Sequence, residues 1–449
     1  MVKLKRNLGL FEAIGLSLSV IAPTMAMALN VAMAVGVAGV AAPLGFAVGT
    51  VMVVIVGLSF VFFSSRVSRT GSAYAYIGQT FGPKAGFLAG WCMLLLYTAA
   101  GSGAAALVGD FLSAALADHG IKLGGYWLLL SVAALGLAVM FAYREMSFAT
   151  HLMLILELSS VAVIIYLGVL ILKAVGAEGG LSTAPFHPDP VSGWWGIGYA
   201  VVFAVLSFAG FEAATTLAEE TDRPGKAIPL ALVCTVGLAG LFFVFGSYVQ
   251  VIGFGLDNMK ALAADEAPLN TLALKYGTLR MATALDIASA VSAVSAVLGT
   301  LSAGARMLFA LGRSGLSETA ARVHPVYGTP SVAVCIIGTL MLAGLLAWAP
   351  LVGPSTYFDD VGTIGVLALI LAYLGVTAAA AYHGLRGAGR IWLVIGALGT
   401  LSMAWPLYNS VYPAPAFPDN LWPYVVIAWV VVGTGLVMAK PGLGRDPEA

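Results

Sequence analysis

Charged residues are scarce in this 449-residue chain, because Asp, Glu, Lys and Arg together make up only 9% of it. An ordinary soluble domain carries roughly 25% charged residues. Apolar residues make up 60%, which leaves too few charges to cover a water-exposed surface. The 21 basic and 21 acidic residues cancel, so no net positive field attracts a polyanion. This composition argues against a soluble enzyme or a nucleic-acid binder and indicates an integral membrane protein.

Cysteine and histidine are also rare. Cys92, Cys234 and Cys335 lie far apart in apolar runs, which suits neither a disulfide framework nor a metal site. The five histidines are scattered, and the chain contains neither a His-Glu-x-x-His run nor a Gly-x-Ser-x-Gly elbow. No segment resembles the selectivity filter of a channel. We therefore predict a protein without catalytic residues, cofactor or metal, with a membrane enzyme and a channel as the less favoured alternatives.

Long apolar segments fill most of the sequence, and a membrane-spanning helix needs about 20 such residues. The segments are rich in Ala, Leu and Gly, and too long to be the alternating strands of a barrel. We predict an all-α integral membrane protein, a single domain over residues 1–449. Its twelve spans are about 10–34, 42–65, 82–114, 125–142, 148–173, 193–217, 228–254, 280–311, 331–350, 355–383, 391–409 and 421–439.

Lys and Arg are distributed unequally between the loops of this arrangement. Twelve spans place both termini on one side, and 16 of the 21 basic residues fall on that side. The other side has only five, which are Lys122, Lys173, Lys260, Lys275 and Arg280. Because cytoplasmic loops carry the excess of Lys and Arg, we expect both termini in the cytoplasm, with the protein in the cell membrane.

Two of the spans are interrupted. Pro23 removes a backbone donor within the first span, and Gly210 and Glu212 stand at membrane depth in the sixth. Such matched interruptions are expected if spans one to five and six to ten form inverted repeats around a transporter's central site. We therefore predict one repeat over about 10–173, a second over about 193–383, and two additional helices over about 391–439. Kinks that serve only helix packing are the alternative.

Three groups of motifs resemble the amino acid–polyamine–organocation (APC) superfamily, in its amino acid permease branch. They occur in the family's order and spacing, and the resemblance covers nearly the whole chain. The groups are Ser68–Tyr76 with Phe81–Trp91, then Phe208–Glu212 with Leu217–Pro224 and Ala227–Pro229, and finally Arg306–Gly315 with His324–Pro325 and Thr329–Pro330.

The resemblance implies a LeuT-like fold with a five-plus-five inverted repeat, in which helices one and six are broken. It also implies a secondary active transporter that imports a small amino acid by alternating access. In such permeases the substrate carboxylate meets backbone N–H groups at the break in helix one, and its amino group meets carbonyls in helix six. The corresponding substrate-binding candidates are Ile21, Ala22, Thr24, Met25, Tyr97, Phe203, Leu206, Ser207, Phe208, Ala209 and Gly210.

The chain departs from the family pattern at the break in helix one. Family members often carry a Gly-Thr-Gly-like run where Pro23, Thr24 and Met25 stand here. Proline has no N–H, so one carboxylate donor is missing, and methionine adds bulk where glycine permits close approach. A polyamine or another organic amine without a carboxylate is therefore the alternative substrate, for import or exchange.

Glu157 lies in the apolar run Leu154–Leu158, well inside the fifth span. Intramembrane carboxylates cost about 2.5–3.5 kcal/mol on insertion scales and are functional candidates by default. By resemblance, Glu157 occupies the place where proton-coupled relatives carry a lysine, which stands in for the sodium ion of sodium-coupled members. A protonatable carboxyl group at this place favours proton coupling over sodium coupling. The alternative is a structural hydrogen bond to a neighbouring helix.

Other polar side chains complete the predicted coupling site. Glu212 could pair with helix one, gate proton movement, or cap the half-helix that starts there. Ser289, Ser292 and Ser295 recur every three residues in span eight, a small polar face that is also typical of close helix packing. By resemblance, hydroxyl groups of this helix serve the ion site, so Ser292 and Ser295 are candidates together with Glu157.

The run Glu219–Pro224 follows span six. We expect a solvated cytoplasmic loop there, which could latch the inner gate. The predicted partners of the protein are a small amino acid or amine, H+ or less plausibly Na+, and the lipid bilayer.

Overall fold

The computed structural model describes residues 6–67, 71–144, 146–189, 192–412, 417–440 and 442–445. Lys3, Lys5 and Arg69, which entered the count of basic residues, lie outside the described residues. The same holds for Ser68–Thr70, the start of the first family-like motif.

The described residues form α-helices and short 3-10 turns, with no β-strand among them. Eleven helical stretches are long and apolar enough to cross a membrane, and the first, Leu10–Ser64, contains the first two predicted spans. The prediction of an all-α membrane protein is therefore confirmed. The helices are α1 (Leu10–Ile21), α2 (Pro23–Ala38), α3 (Ala42–Ser64), α4 (Ala73–Phe81), α5 (Pro83–Ala117), α6 (Trp127–Tyr143), α7 (Met146–Ala177), α8 (Gly193–Ser207), α9 (Pro224–Phe254), α10 (Met259–Ala263), α11 (Pro268–Tyr276), α12 (Leu279–Arg313), α13 (Ser331–Val352), α14 (Pro354–His383), α15 (Arg390–Asn409) and α16 (Trp422–Ala439).

The first predicted span is two helices, α1 and α2, separated by one residue. Ala22 has φ 48° and ψ 66°, a left-handed conformation that ends α1. Its N–H donates to the Leu18 carbonyl at 2.9 Å, which closes the last turn. Pro23 then occupies the first turn of α2, where its missing N–H breaks no helical hydrogen bond.

The sixth predicted span is interrupted in the same way. Helix α8 ends at Ser207, and a 3-10 stretch, Phe211–Leu217, continues in its place. Between them Gly210 has φ 95°, which only glycine adopts without strain. A Cβ at this position would collide with the Val20 side chain of α1. The two breaks therefore pack directly against each other, and Gly210 is required for that contact.

The long helices α5 and α12 lie at the centre of the bundle. Almost every residue of α12 from Ala288 to Gly312 is buried, whereas only four of the 18 residues of α16 are buried. Trp91 of α5 and Trp429 of α16 hold this outer helix, since each indole N–H donates to the other residue's carbonyl, at 2.9 and 2.8 Å. A buried α12 carries its serine face into the region of the two breaks.

Candidate functional site

The break in helix one presents the first backbone donors of α2. Because Pro23 has no N–H, these donors are the amides of Thr24 and Met25. The Met25 N–H donates to Ser292 Oγ on α12, at 3.5 Å. The Thr24 hydroxyl donates to Ser160 Oγ on α7, at 3.1 Å. Helices α7 and α12 are thus both bonded to the start of α2.

Glu157 joins these two contacts into one network. The Ser292 hydroxyl donates to its carboxylate, at 3.2 Å to Oε1 and 3.0 Å to Oε2. The Ser160 hydroxyl donates to the Glu157 backbone carbonyl at 2.9 Å. Glu157 is only 1% exposed, and it forms no ion pair with any basic residue that the structure describes. The structure therefore places Glu157 and Ser292 in contact and adds Ser160 to the same network.

Ser295 lies one turn further along α12 on the same face. Its hydroxyl donates to the Met153 carbonyl of α7 at 3.4 Å. Its own carbonyl accepts a short hydrogen bond from the Ser19 hydroxyl of α1, at 2.5 Å. Ser295 thus joins α1, α7 and α12 just beside Glu157.

Both halves of helix six are hydrogen-bonded to helix one. Before the break, Asn30 Nδ2 of α2 donates to Ser207 Oγ at 2.7 Å. After the break, the Ser17 hydroxyl of α1 donates to the Phe211 carbonyl at 2.7 Å and accepts from the Ala214 N–H at 2.9 Å. Asn30 is a lone amide in an apolar run, and only that isolation could have marked it in the sequence.

Glu212 is fully buried directly after the helix-six break. The Tyr97 hydroxyl of α5 donates to its Oε1 at 2.8 Å, and the Tyr373 hydroxyl of α14 donates to Oε2 through a short hydrogen bond. Its side chain is therefore bonded to two phenols, not to a residue of helix one. Tyr97 lies at the break as expected, but its hydroxyl is directed to Glu212. Tyr373, one tyrosine in the apolar helix α14, was not identified from the sequence.

The remaining substrate-binding candidates surround the breaks with apolar surface. They are buried, apart from Phe203, Leu206 and Ala209, which are partly buried, and the buried set is Ile21, Ala22, Thr24, Met25, Ser207, Phe208 and Gly210. The Phe208 ring packs edge-on against Phe243 of α9, with centroids 4.9 Å apart. Burial of most of the set leaves little of this site open to solvent in this conformation. Apolar walls with a few backbone polar groups are typical of small-molecule sites.

A group of ion pairs and backbone bonds closes one end of the bundle. Arg306 of α12 makes a bidentate pair with Glu220, at 2.5 Å from Nε to Oε1 and 2.9 Å from Nη2 to Oε2. The Leu8 N–H donates to the Glu220 carbonyl at 3.0 Å, and the Asp222 N–H donates to the Leu8 carbonyl at 2.7 Å. We call Leu8, Glu220, Asp222 and Arg306 the latch. Glu220 is 2% exposed, so the prediction of a solvated loop is wrong for this residue.

A second pair lies next to the latch and is less buried. Arg313 donates to Glu219 at 3.0 and 2.6 Å, and the two side chains are 13% and 23% exposed. Adjacent glutamates of one loop therefore pair with two arginines of one helix, and the two pairs differ in burial.

Comparison of the whole chain with known proteins finds a matching family and several relatives. The sequence profile described as "Amino acid permease" matches residues 13–389. The branched-chain amino acid permease BcaP of Bacillus subtilis is 26% identical over 385 residues, 82% of this chain and 80% of the relative. The low-affinity putrescine importer PlaP of Escherichia coli K12 is 24% identical over 68% of this chain and 66% of the relative. The crystal structure of MhsT in complex with L-phenylalanine matches with a TM-score of 0.58, at 14% identity, over 96% of this chain and all of that one. The predicted LeuT-like fold is thereby confirmed.

Proposed function

We propose that this protein, which belongs to the amino acid permease family, imports a small amino acid across the cell membrane by alternating access. Members of this family are transporters and not enzymes, and the chain is a multi-pass membrane protein. The substrate would bind between the break at Ala22 and the break at Phe208–Gly210. A branched-chain amino acid permease among the relatives supports an apolar amino acid.

The two breaks offer opposite partial charges to a zwitterion. The start of α2 presents the amides of Thr24 and Met25, which favour a carboxylate, and the last carbonyls of α8 favour an ammonium group. Met25 and Phe208 supply apolar surface for the substrate side chain. A neutral amino acid therefore matches both the polar and the apolar parts of this site.

An organic amine without a carboxylate is the second candidate. Pro23 removes one donor from the start of α2, and Ser292 occupies the Met25 N–H, which leaves few donors for a carboxylate. A putrescine importer is also among the relatives. A diamine would depend mainly on carbonyl groups and on the carboxylates near the breaks.

We assign proton coupling to Glu157 on one observation, the Ser292 hydroxyl that bridges its carboxylate to the Met25 N–H. When Glu157 is ionised, it accepts the Ser292 hydroxyl, and Ser292 Oγ accepts the Met25 N–H. When Glu157 is protonated, its O–H can donate to a second lone pair of Ser292 Oγ, and the Ser292 hydroxyl hydrogen is then free to turn away from Glu157. Protonation would thus free the Ser292 O–H, next to the start of α2, as a donor for the substrate carboxylate.

Further assignments belong to the same proposal. Ser295 and Glu212 would support coupling, with Glu212 fixing the inner half of helix six through Tyr97 and Tyr373. We also propose one transporter domain with repeats over about 10–173 and 193–383, followed by two additional helices. The excess of Lys and Arg on the side of both termini supports a cytoplasmic location for them and for the latch.

Uptake by purified protein in proteoliposomes tests the function. A panel of neutral amino acids, cationic amino acids and polyamines would be offered with an inward proton gradient, an inward sodium gradient, or neither. We expect accumulation of a neutral apolar amino acid with the proton gradient alone. Accumulation of polyamines only would favour the second candidate. Accumulation that requires sodium would refute the coupling assignment but not the transporter.

A further inference from the structure

A cavity of about 560 Å³ lies between α7 and the beginning of α12, on the outer surface of the bundle. Its apolar walls include Ala162, Val163 and Leu170 of α7 and Ala284 of α12. Tyr166 also lines it and is 60% exposed, so the cavity opens outward. In a membrane, a surface at this position borders lipid and not water.

One positive charge lines this cavity, and a second lies beyond its lining, one turn further along α7. Arg280 lines it from the first turn of α12, and its side chain is exposed. Lys173 follows Tyr166 and Leu170 at the i, i+4, i+7 spacing of one helix face, so it continues the α7 wall by one turn. Neither cation has an ion pair or hydrogen bond within the described part of the chain.

Both cations lie near helix ends. Helix α7 ends at Ala177 and α12 begins at Leu279, so Lys173 and Arg280 are within about one turn of the same end of the bundle. Charged side chains at the ends of spanning helices reach the headgroup layer, while the apolar positions deeper in the groove meet acyl chains. From the end of the bundle inward, the charged residues therefore lie at the depth of lipid headgroups and the apolar wall lies at the depth of the acyl chains.

We propose that this cavity binds an anionic phospholipid, with its phosphate on Arg280 and Lys173 and one acyl chain along the α7–α12 wall. Guanidinium and ammonium groups that lack protein partners are suited to a phosphate, and Arg binds it through two donors. The hydroxyls of Tyr166 and Thr278 supply further headgroup donors. Free inorganic phosphate would use the charges but not the apolar wall, which distinguishes it from a lipid.

The same two helices carry Glu157 and Ser292, which bond to each other deeper in the bundle. A lipid that contacts both α7 and α12 would hold these helices together beyond the coupling residues. The lipid site itself does not depend on the proposed transport function, because its residues are separate from those at the breaks.

Native mass spectrometry of the delipidated full chain, titrated with phosphatidylglycerol or with phosphatidylcholine of the same acyl chains, tests the proposal. An exposed ion pair contributes about 1 kcal/mol at most, a factor of about 5 in affinity, so two pairs contribute a factor of about 30 at the upper limit. We expect the wild type to retain phosphatidylglycerol in preference, and Lys173→Gln/Arg280→Gln to lose up to about 30-fold. The matched control Lys122→Gln/Lys260→Gln removes two exposed charges from the same end of the bundle without touching the cavity.

A second variant tests the acyl-chain half of the site. Ala162→Trp fills the wall and leaves both charges in place, so it should also abolish the preference for phosphatidylglycerol. Three results would overturn the proposal. They are that the wild type binds both lipids equally, that the control double variant loses as much as the test variant, or that Ala162→Trp retains full preference, which would indicate a phosphate-only site.

Discussion

Loss of one charge from the latch should open that end of the bundle. The perturbation is Glu220→Gln, which leaves Arg306 buried without a counter-charge. The two side chains are 3% and 1% exposed, so water does not screen their interaction in the closed conformation. Removing one partner of such a pair costs about 3–5 kcal/mol. Because glutamine retains part of the hydrogen bonding, we take about 3 kcal/mol, which corresponds to a roughly 150-fold larger open fraction.

Thiol labelling measures this open fraction. Ser302 lies one turn from Arg306, is fully buried, and its hydroxyl has no partner among the described residues, so Ser302→Cys is a mild reporter. In a background with Cys92, Cys234 and Cys335 replaced by alanine, we expect a membrane-impermeant maleimide, applied to inside-out vesicles, to label the reporter slowly. Glu220→Gln should raise the labelling rate by about 150-fold, up to the limit set by a free thiol.

The neighbouring pair and a double replacement are the controls. Glu219→Gln removes the same charge from a partly exposed pair, where about 1 kcal/mol or less is expected, so labelling should rise no more than about 5-fold. Glu220→Met/Arg306→Met leaves no buried charge and should return the rate towards the parent value. The reasoning fails if Glu220→Gln labels no faster than Glu219→Gln, or if the double variant stays as reactive as the single one.

Three further variants test the contacts at the breaks. Ser292→Ala should reduce gradient-driven accumulation while substrate counterflow continues, because the bridge to the Met25 N–H is gone; Ser289→Ala, on the same helix, should leave both activities unchanged. Tyr373→Phe removes a hydrogen bond to a buried carboxylate, worth about 1.5–3 kcal/mol, and should lower the thermal unfolding midpoint. Gly210→Ala puts an alanine in a left-handed conformation with its Cβ against the Val20 side chain of α1, so it should abolish the monodisperse peak on size-exclusion chromatography. Gly237→Ala, which has open space around it, should not.

Much of the fold follows from local features of the sequence. Long apolar runs define helices at membrane depth, because a chain in lipid must satisfy its backbone polar groups internally. Pro23 and Gly210 locate both breaks, because proline and glycine disturb helices for reasons that depend little on tertiary context. The left-handed residue is Ala22, immediately before proline, a position where the helical conformation is disfavoured.

The candidate site was only partly predictable. Glu157 and Ser292 were paired through the resemblance, and the structure places them in hydrogen-bond contact. The bonds from Tyr373 to Glu212 and from Asn30 to Ser207 join residues far apart in sequence, and their isolation in apolar helices indicates that each needs a partner without identifying it. Glu219 and Glu220 are adjacent and chemically identical, so only packing against α12 determines which becomes buried.

Proton movement driven by substrate tests the central claim most directly. Proteoliposomes containing a pH-sensitive dye in the lumen would receive a saturating pulse of the transported amino acid, with membrane potential clamped. We predict that the wild type acidifies the lumen as substrate enters, and that Glu157→Gln moves no protons while it still catalyses substrate counterflow. Equal acidification by wild type and Glu157→Gln, at equal protein density, would contradict the assignment of Glu157 as the coupling residue.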